Sequence, residues 1–596
     1  MTTTHKERQA PAAAPAETPR GGVAGAAGLP PLAIKPRFLL LIAGWGIYLL
    51  GGPGVVTTGG SVFGLLGFAL WAAAVSRPGP RAKLVEYLCA SAFLGLQLTW
   101  IGYVFWPTLP YIFLGAGAYG LLGGVLLRKL TAVMPLGLAA GLGWIGAETL
   151  RAVVPPPFGM GWLRAGHYFH TVPDWLGSAR VWGVVGLGFC GVAAAGALAE
   201  IWMARRGVLK LRWGLRGPLL ACLPLLLAPL VARVVPAPTT QPGPRVLLVQ
   251  PGFEQKRKQQ GNPFENFVEQ LELTAAGLAA LDRPPELVCW GETMLDIPLI
   301  EPELAERVRA AEAAGDLTPF EIAPWWGLGD DPLVRWIDQF ERLIVDRVDY
   351  GVFRSTLPEG TAFLSGAERY VEHEGQLRRQ NTIALWGPDG KLAGISEKQH
   401  LAPGGETMLG AERFQIVRDV IHDLANYVPD FLAGERTSVL PLVTVHGDRY
   451  AIAATACFDN AFVDVYLDPV AREPVDFHVI VSNEAWFQRS QEYDQMLAFS
   501  RCAAVMSGRT LVRATNGGVS AAYGPDGTEL ARLSVDGEDR LVKGTLLIEV
   551  PVPAVGEGVP PFAKSFDVWR YGACILAFLL AGIGAARNRY SARDKG

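Results

Sequence analysis

The chain is 596 residues long, 50% hydrophobic and 18% charged, with a mean hydropathy of +0.24, which is too apolar for an ordinary soluble enzyme and too weakly charged for a disordered chain. With 53 basic against 56 acidic residues the net charge is −3, so there is no basic excess of the kind that drives nucleic-acid binding, and the seven cysteines include no C-x-x-C pair to suggest a zinc ribbon or a thioredoxin-type site. A membrane protein is the indicated class.

Residues 1–35 are rich in Ala, Pro, Gly and Thr and read as a disordered cytosolic tail with no cleavable leader. Apolar runs follow at 38–56, 60–76, 84–104, 109–127, 131–150, 180–203 and 217–235, with an eighth near 569–586. At about 1.5 Å of rise per residue most of them are long enough to cross hydrocarbon, the second and last being short. Basic residues set the orientation, because cytosolic loops carry excess Lys and Arg. Arg77, Arg81 and Lys83, then Arg128 and Lys129, then Arg205, Arg206, Lys210, Arg212 and Arg216, then Arg587, Arg589, Arg593 and Lys595 all fall on one side. The loops after the first and third runs hold no Lys or Arg. The expected organisation is a membrane domain of seven helices over 36–240, an external domain over 241–565, and an eighth helix with a basic cytosolic tail over 566–596.

Two G-x-G-x-x-G matches, Gly141-Gly143-Gly146 and Gly186-Gly188-Gly191, lie inside apolar runs. A dinucleotide site needs a strand before the motif, so these glycines read as points of close helix approach.

From Arg245 the pattern changes to short β-rich runs: RVLLVQP, ELVCWGE, NTIALW, SVLPLVTV, YAIAATACF, DFHVIVSNEAWF, TLVRATN and LVKGTLLIEV. Helices are expected over 263–281, 331–346, 414–426 and 493–507, and Pro-Asp-Gly at 388–390 and 525–527 marks two strand-to-strand turns. The external domain is therefore α/β. Three residues in it can do chemistry together. Cys457 ends AIAATAC, Glu292 follows LVCW, and Lys398 precedes a Pro-Gly-Gly turn. A thiol needs a base and a positive neighbour, and an acyl intermediate needs an oxyanion donor, and Glu, Lys and Cys supply these. Cys289 and Cys502 read as packing residues.

These motifs resemble the nitrilase superfamily: Glu292 in WGET, Lys398 and Glu406 in KQHLAPGGE, Cys457 in CFDNAF, then SNEAWF from Ser482 and GRTLVRATNGGVSA from Gly508. With seven apolar runs before and one after, and with GMGWLRAGHY between two of them, the chain is similar to the apolipoprotein N-acyltransferase family in particular. The resemblance implies an αββα sandwich as the external fold beside an eight-helix membrane domain. It also implies a triad of Glu292 as proton acceptor, Lys398 as oxyanion stabiliser and Cys457 as nucleophile. Glu406, Asp459 and the backbone N–H of Phe458 would support them, and Asn483, Glu484, Trp486, Arg513 and Asn516 would shape the pocket. The sequence departs from the family at Gly291, where Pro is usual, at Gly404, where Phe is usual, and at Phe458-Asp459, where Tyr-Glu is usual. The stretch from Glu292 to Lys398 is long, which suggests an insertion within about 300–375 that includes Trp325 and Trp326 as an interfacial lid or a packed surface piece.

The implied reaction moves an acyl chain from a phospholipid, of the phosphatidylethanolamine type, through a Cys457 thioester to the α-amino group of a diacylglyceryl-cysteine on an apolipoprotein. No metal or cofactor is called for, and the expected location is a bacterial inner membrane with both termini cytosolic and the catalytic domain periplasmic. The same triad would serve a membrane-anchored amidase if water reached the thioester. The departures near Glu292 and Cys457 would also suit a catalytically silent binding member.

Overall fold

The computed structural model describes residues 29–593 apart from 56–59, 155–158, 163, 315–355, 375 and 426–428. Most of the N-terminal tail, the expected 331–346 helix and the Trp325-Trp326 segment lie outside the described residues.

All eight apolar runs form helices: Ile34–Leu50, Gly60–Val75, Ala82–Leu96, Leu109–Leu130, Leu136–Val153, Ala179–Arg205, Arg216–Val234 and Phe566–Arg593. Among the described residues, four stretches are long and apolar enough to cross a membrane: Thr99–Leu130, Ala179–Arg205, Arg216–Val234 and Phe566–Tyr590. Gly60–Val75 is a shorter apolar helix. The glycine motifs do what small residues do at helix contacts. A Cβ on Gly143 would lie 2.8 Å from Leu127 N, and one on Gly146 would lie 2.4 Å from the Ala577 Cβ. Polar anchoring comes from Glu86, whose buried carboxylate accepts from Arg37 at 2.9 Å and from Arg128 at 2.8 Å, joining three helices.

The remainder is a sandwich. Its strands are β1 (Thr240–Gln241), β2 (Arg245–Gln250), β3 (Leu287–Trp290), β4 (Leu295–Ile300), β5 (Ala362–His373), β6 (Gln376–Trp386), β7 (Leu392–Glu397), β8 (Val439–Val443), β9 (Arg449–Ala456), β10 (Phe477–Ser482), β11 (Thr510–Thr515), β12 (Ala521–Tyr523), β13 (Glu529–Arg532), β14 (Gly544–Glu549) and β15 (Val552–Pro553). One sheet runs β14-β2-β3-β5-β6-β7, with β4 also on β5, the other runs β13-β12-β11-β10-β9-β8, and β1 and β15 pair apart from both. Each has a parallel centre, β2-β3-β5 and β9-β10-β11, with antiparallel flanks. Such centres are buried on both faces and read as continuous apolar runs, which is why RVLLVQ and FHVIVS lack alternation. The facing sides interlock through Leu248, Cys289, Leu364, Ile383 and Leu385 of one sheet against Ile452, Ala454, Phe477, Val479 and Val512 of the other.

Helix Pro263–Ala279 covers the first sheet through Phe267 and Leu271. Helices Asp464–Arg472 and Glu492–Ser507 cover the second. Their Tyr466, Tyr493, Met496, Phe499 and Ala503 belong to one continuous core with Trp45, Trp100 and Trp162 of the helical half. At this seam Gln495 Oε1 accepts the indole N–H groups of both Trp100, at 3.1 Å, and Trp162, at 2.6 Å.

The stretch of about 300–375 within which an insertion is expected includes, toward its end, β5, which pairs with β3 on one edge and β6 on the other. Its sequence AFLSGAERYVEH hides this role because only its first half is continuously buried, while the charged second half extends past the sheet centre.

Candidate active site

The three candidate residues stand just past the carboxyl ends of three strands: Glu292 after β3, Lys398 after β7 and Cys457 after β9. Strand ends present side chains where loops can shape a site around a rigid scaffold. Ser396 Oγ on β7 donates to Ala454 O on β9 at 2.7 Å, tying the two sheets together beside the site. Cys457 itself takes a left-handed backbone, φ 45°, and opens a short helical turn over Cys457–Ala461. A non-glycine residue held there marks a forced elbow.

Lys398 is the hub. Its Nζ lies 2.9 Å from Glu292 Oε1 and 2.9 Å from Glu406 Oε2. Asn381, on β6, donates its side-chain amide to Glu292 Oε1 at 2.8 Å and to Glu406 Oε1 at 2.6 Å, so one residue spaces both carboxylates. Glu292 Oε2 accepts the Asn483 N–H at 3.1 Å, and Glu406 Oε2 accepts the Ala402 N–H at 2.7 Å. Lys258 Nζ holds the backbone carbonyl of Glu292 at 3.0 Å and Thr293 Oγ1 at 2.6 Å. Side-chain rotation is thereby removed from the base before any substrate arrives.

The site is dry: Lys398 is 1% exposed, Glu292 5% and Cys457 6%. Burial opposes the charge on Lys398, but the Glu292 and Glu406 carboxylates outweigh it and hold the ammonium well above the usual lysine range. Burial likewise opposes the charge on Glu292, and Lys398 with Asn381 reverses it, keeping this carboxyl below its ordinary value. Burial and the nearby Glu292 charge push the Cys457 thiol well up, against the pull of Lys398. Burial also lifts Glu406. The resting site therefore holds a neutral thiol, an ionised Glu292 and an ammonium.

Asp459 supports from behind. Its Oδ1 accepts the His400 N–H at 2.6 Å and its Oδ2 accepts Thr455 Oγ1 at 2.6 Å, so the shorter acid still clamps the Lys398 segment to the Cys457 turn. Phe458 stacks on Trp162 with ring centres 5.1 Å apart. Of the residues expected to shape the pocket, Asn483 reaches Glu292 through its backbone N–H, and the others make contacts among themselves and with the core. Arg513 and Glu484 form a fully buried ion pair, with Arg513 also donating to Ser500 Oγ at 2.8 Å. Asn516 donates to Asn483 Oδ1 and to Phe253 O, both at 2.9 Å, and Trp486 packs partly buried on the shared core. They brace the ends of β10 and β11 behind Glu292. Asn381 was missed, although a signal existed: it continues the inward parity of Ile383 and Leu385, and an amide on that parity needs buried partners.

A cavity of about 530 Å³ adjoins the site. Its wall combines Tyr111, Ile112, Gly115 and Ala116 of helix Leu109–Leu130 with Gln399, His400 and Leu401, which follow Lys398, and with Phe458, which follows Cys457. The membrane-type helices and the sandwich thus build it jointly. Glu292, Lys398 and Cys457 are not themselves among the residues that line it, and a mostly apolar chamber against the segments that follow Lys398 and Cys457 suits an extended hydrocarbon substrate.

Residues 360–557 match the carbon-nitrogen hydrolase family, a span that holds Lys398 and Cys457. The matched span takes in the strands from β5 to β15. An apolipoprotein N-acyltransferase of Ralstonia nicotianae is 32% identical over 188 residues, 31% of this chain and 32% of that protein. Those of Bordetella bronchiseptica and Caulobacter vibrioides match more of the length: 28% identity over 75% of this chain and 72% of the first, and 26% over 88% of this chain and 90% of the second. Over most of its length the chain is similar to apolipoprotein N-acyltransferases, and over residues 360–557 to the carbon-nitrogen hydrolase family.

Proposed function

We propose that this protein is a membrane-embedded N-acyltransferase that moves an acyl chain from a glycerophospholipid to the α-amino group of a diacylglyceryl-cysteine at an apolipoprotein N-terminus. The observation that carries the reading is the buried Glu292, Lys398 and Cys457 cluster beside an apolar cavity walled partly by helix Leu109–Leu130. A hydrolase for small soluble amides has no use for such a wall.

In the first half-reaction Cys457 Sγ attacks the ester carbonyl while its proton passes to Glu292. Lys398 and the Phe458 backbone N–H stabilise the oxyanion. The C–O bond breaks, the lysophospholipid leaves with the proton from Glu292, and a Cys457 thioester remains. In the second, the acceptor amine attacks the thioester, Glu292 takes its proton, the C–S bond breaks and the thiol is restored. Glu406, held by Asn381 and the Ala402 N–H, keeps the ammonium oriented.

The full reading places eight helices across a bacterial inner membrane, both termini in the cytosol and the sandwich on the periplasmic side. Support comes from the asymmetry of basic residues, with Arg128 and Lys129 ending one helix and Arg205 another on the same side. Intact-mass spectrometry tests the chemistry. Incubation with phosphatidylethanolamine should add one acyl mass to wild type and none to Cys457→Ala, and a diacylglyceryl-cysteine peptide should then remove it onto its amine. Loss of the adduct to water alone would make the protein an amidase-type hydrolase, and no adduct on folded wild type would refute the thioester.

A further inference from the structure

The cavity is apolar but not neutral. Its charged side chains are Arg151, His400 and Arg570, and no Asp or Glu is among the described residues that line it. Two of these cations come from opposite sides: His400 from the loop after β7, and Arg570 from the first turns of helix Phe566–Arg593. They converge on one atom. Asp464 Oδ2 lies 3.3 Å from an Arg570 guanidinium nitrogen and 3.4 Å from His400 Nε2. The His400 ring is fixed flat on Phe462, with centroids 3.7 Å apart and planes 9° from parallel, and its backbone N–H is held by Asp459.

We infer that Arg570 and His400 form a phosphate subsite, which receives the phosphodiester of the glycerophospholipid donor while its acyl ester reaches Cys457. The choice of ligand rests on the acyl-transfer reading. Arg570 and His400 both line the cavity whereas Asp464, the carboxylate they share, does not, and guanidinium is suited to tetrahedral oxyanions. Burial opposes the imidazolium, yet Asp464 outweighs it and raises His400 above its ordinary value, while the same pairing holds Asp464 down to about 2. His400 is two residues from Lys398, so a headgroup held here stays close to the oxyanion donor. The acceptor, a diacylglyceryl thioether on a peptide, carries no phosphate. The subsite therefore serves the donor half-reaction and is idle in the second.

The test separates binding from chemistry. Full-length Cys457→Ala protein in detergent is titrated by native mass spectrometry with phosphatidylethanolamine and with diacylglycerol of the same chains. Phosphatidylethanolamine should bind at least tenfold more tightly, Arg570→Gln should erase that margin, and Arg570→Lys should keep part of it. Equal binding of the two lipids, or a margin that survives Arg570→Gln, overturns the assignment. As a check that needs no variant at Arg570, glycerophosphoethanolamine should displace phosphatidylethanolamine more strongly than inorganic phosphate does. Equal displacement by the two would make this a free-anion site and overturn the headgroup assignment. A purely structural Arg570-Asp464 tie would weaken both lipids alike. In protein with an intact thiol, Arg570→Gln should slow acylation by phosphatidylethanolamine at least tenfold more than it slows acylation by diacylglycerol, and an equal slowing of both would overturn the assignment. If the binding margin behaves as stated while wild type never forms a thioester, the subsite stands and the acyl-transfer reading falls.

Discussion

Lys398 stands between two carboxylates, and without its ammonium they would face each other in a site closed to water. Breaking a buried ion pair by removing one partner typically costs about 3–5 kcal/mol, because the stranded charge stays buried. Lys398→Met should lower unfolding stability in detergent by that amount, and adding Glu406→Gln should return part of it by deleting one stranded charge. A full return of stability without any return of thioester would fit the lysine's double duty; no loss in the single variant would contradict the charge arrangement. Glu292 offers a second contrast. Cys457 is held up by burial and by the Glu292 charge, so below its raised value it is less ionised than an ordinary cysteine at any pH. Glu292→Gln removes that charge, so the midpoint for alkylation of Cys457 should move to lower pH while acyl transfer falls by about 10²–10⁴-fold. A midpoint that stays or rises would show that Glu292 does not face the thiol. The sign for Glu292 is opposite: its carboxylate is depressed, so its basic form persists until the pH falls through that lowered value.

The strands carry these residues to one place, and the tolerances are tight. Gly366 on β5 donates its N–H to Gly291 O at 3.1 Å, and a Cβ there would lie 2.6 Å from both Glu292 Cα and Thr293 N. Those are backbone atoms that cannot turn aside. Gly366→Ala should therefore shift the base, slowing acyl-enzyme formation more than tenfold at a stability loss of about 1–3 kcal/mol. Unchanged acylation kinetics would mean that the Glu292 segment has slack that the packing does not suggest. Much of this layout could be read in advance. Glu292, Cys457 and the base of β10 each close an apolar run, and burial on both faces of a parallel centre writes itself into sequence as LVCW, AIAATA and FHVIVS. What escaped was written in contacts. β5 mixes Gly, Glu and Arg because its outer half is half exposed, Asn381 opens the run NTIALW with no motif around it, and Glu484 with Arg513 form a buried pair that no local pattern announces. Pair partners 89 to 106 residues apart leave no local period to find.

At the scale of the molecule the sandwich and the helices are not two bodies joined by a tether. Tyr493, Met496 and Phe499 on one side and Trp100 and Trp162 on the other share a single core, sealed by Gln495. Residues 241–565 expressed alone should therefore expose a broad apolar face and run as aggregates by size exclusion. A monodisperse fragment with cooperative unfolding would contradict the shared core. The same seam has a consequence for how the reaction meets its substrates. Phe458, next to the nucleophile, is stacked on Trp162, so the thiol cannot swing out toward an approaching lipid and rests at a set height relative to the helices. Under the acyl-transfer reading, both partners must come to that height while drifting in a plane, and one must leave before the other docks. The relevant concentration is then a surface density, and traffic across the leaflet, rather than supply from the surrounding water, governs how often the enzyme turns over.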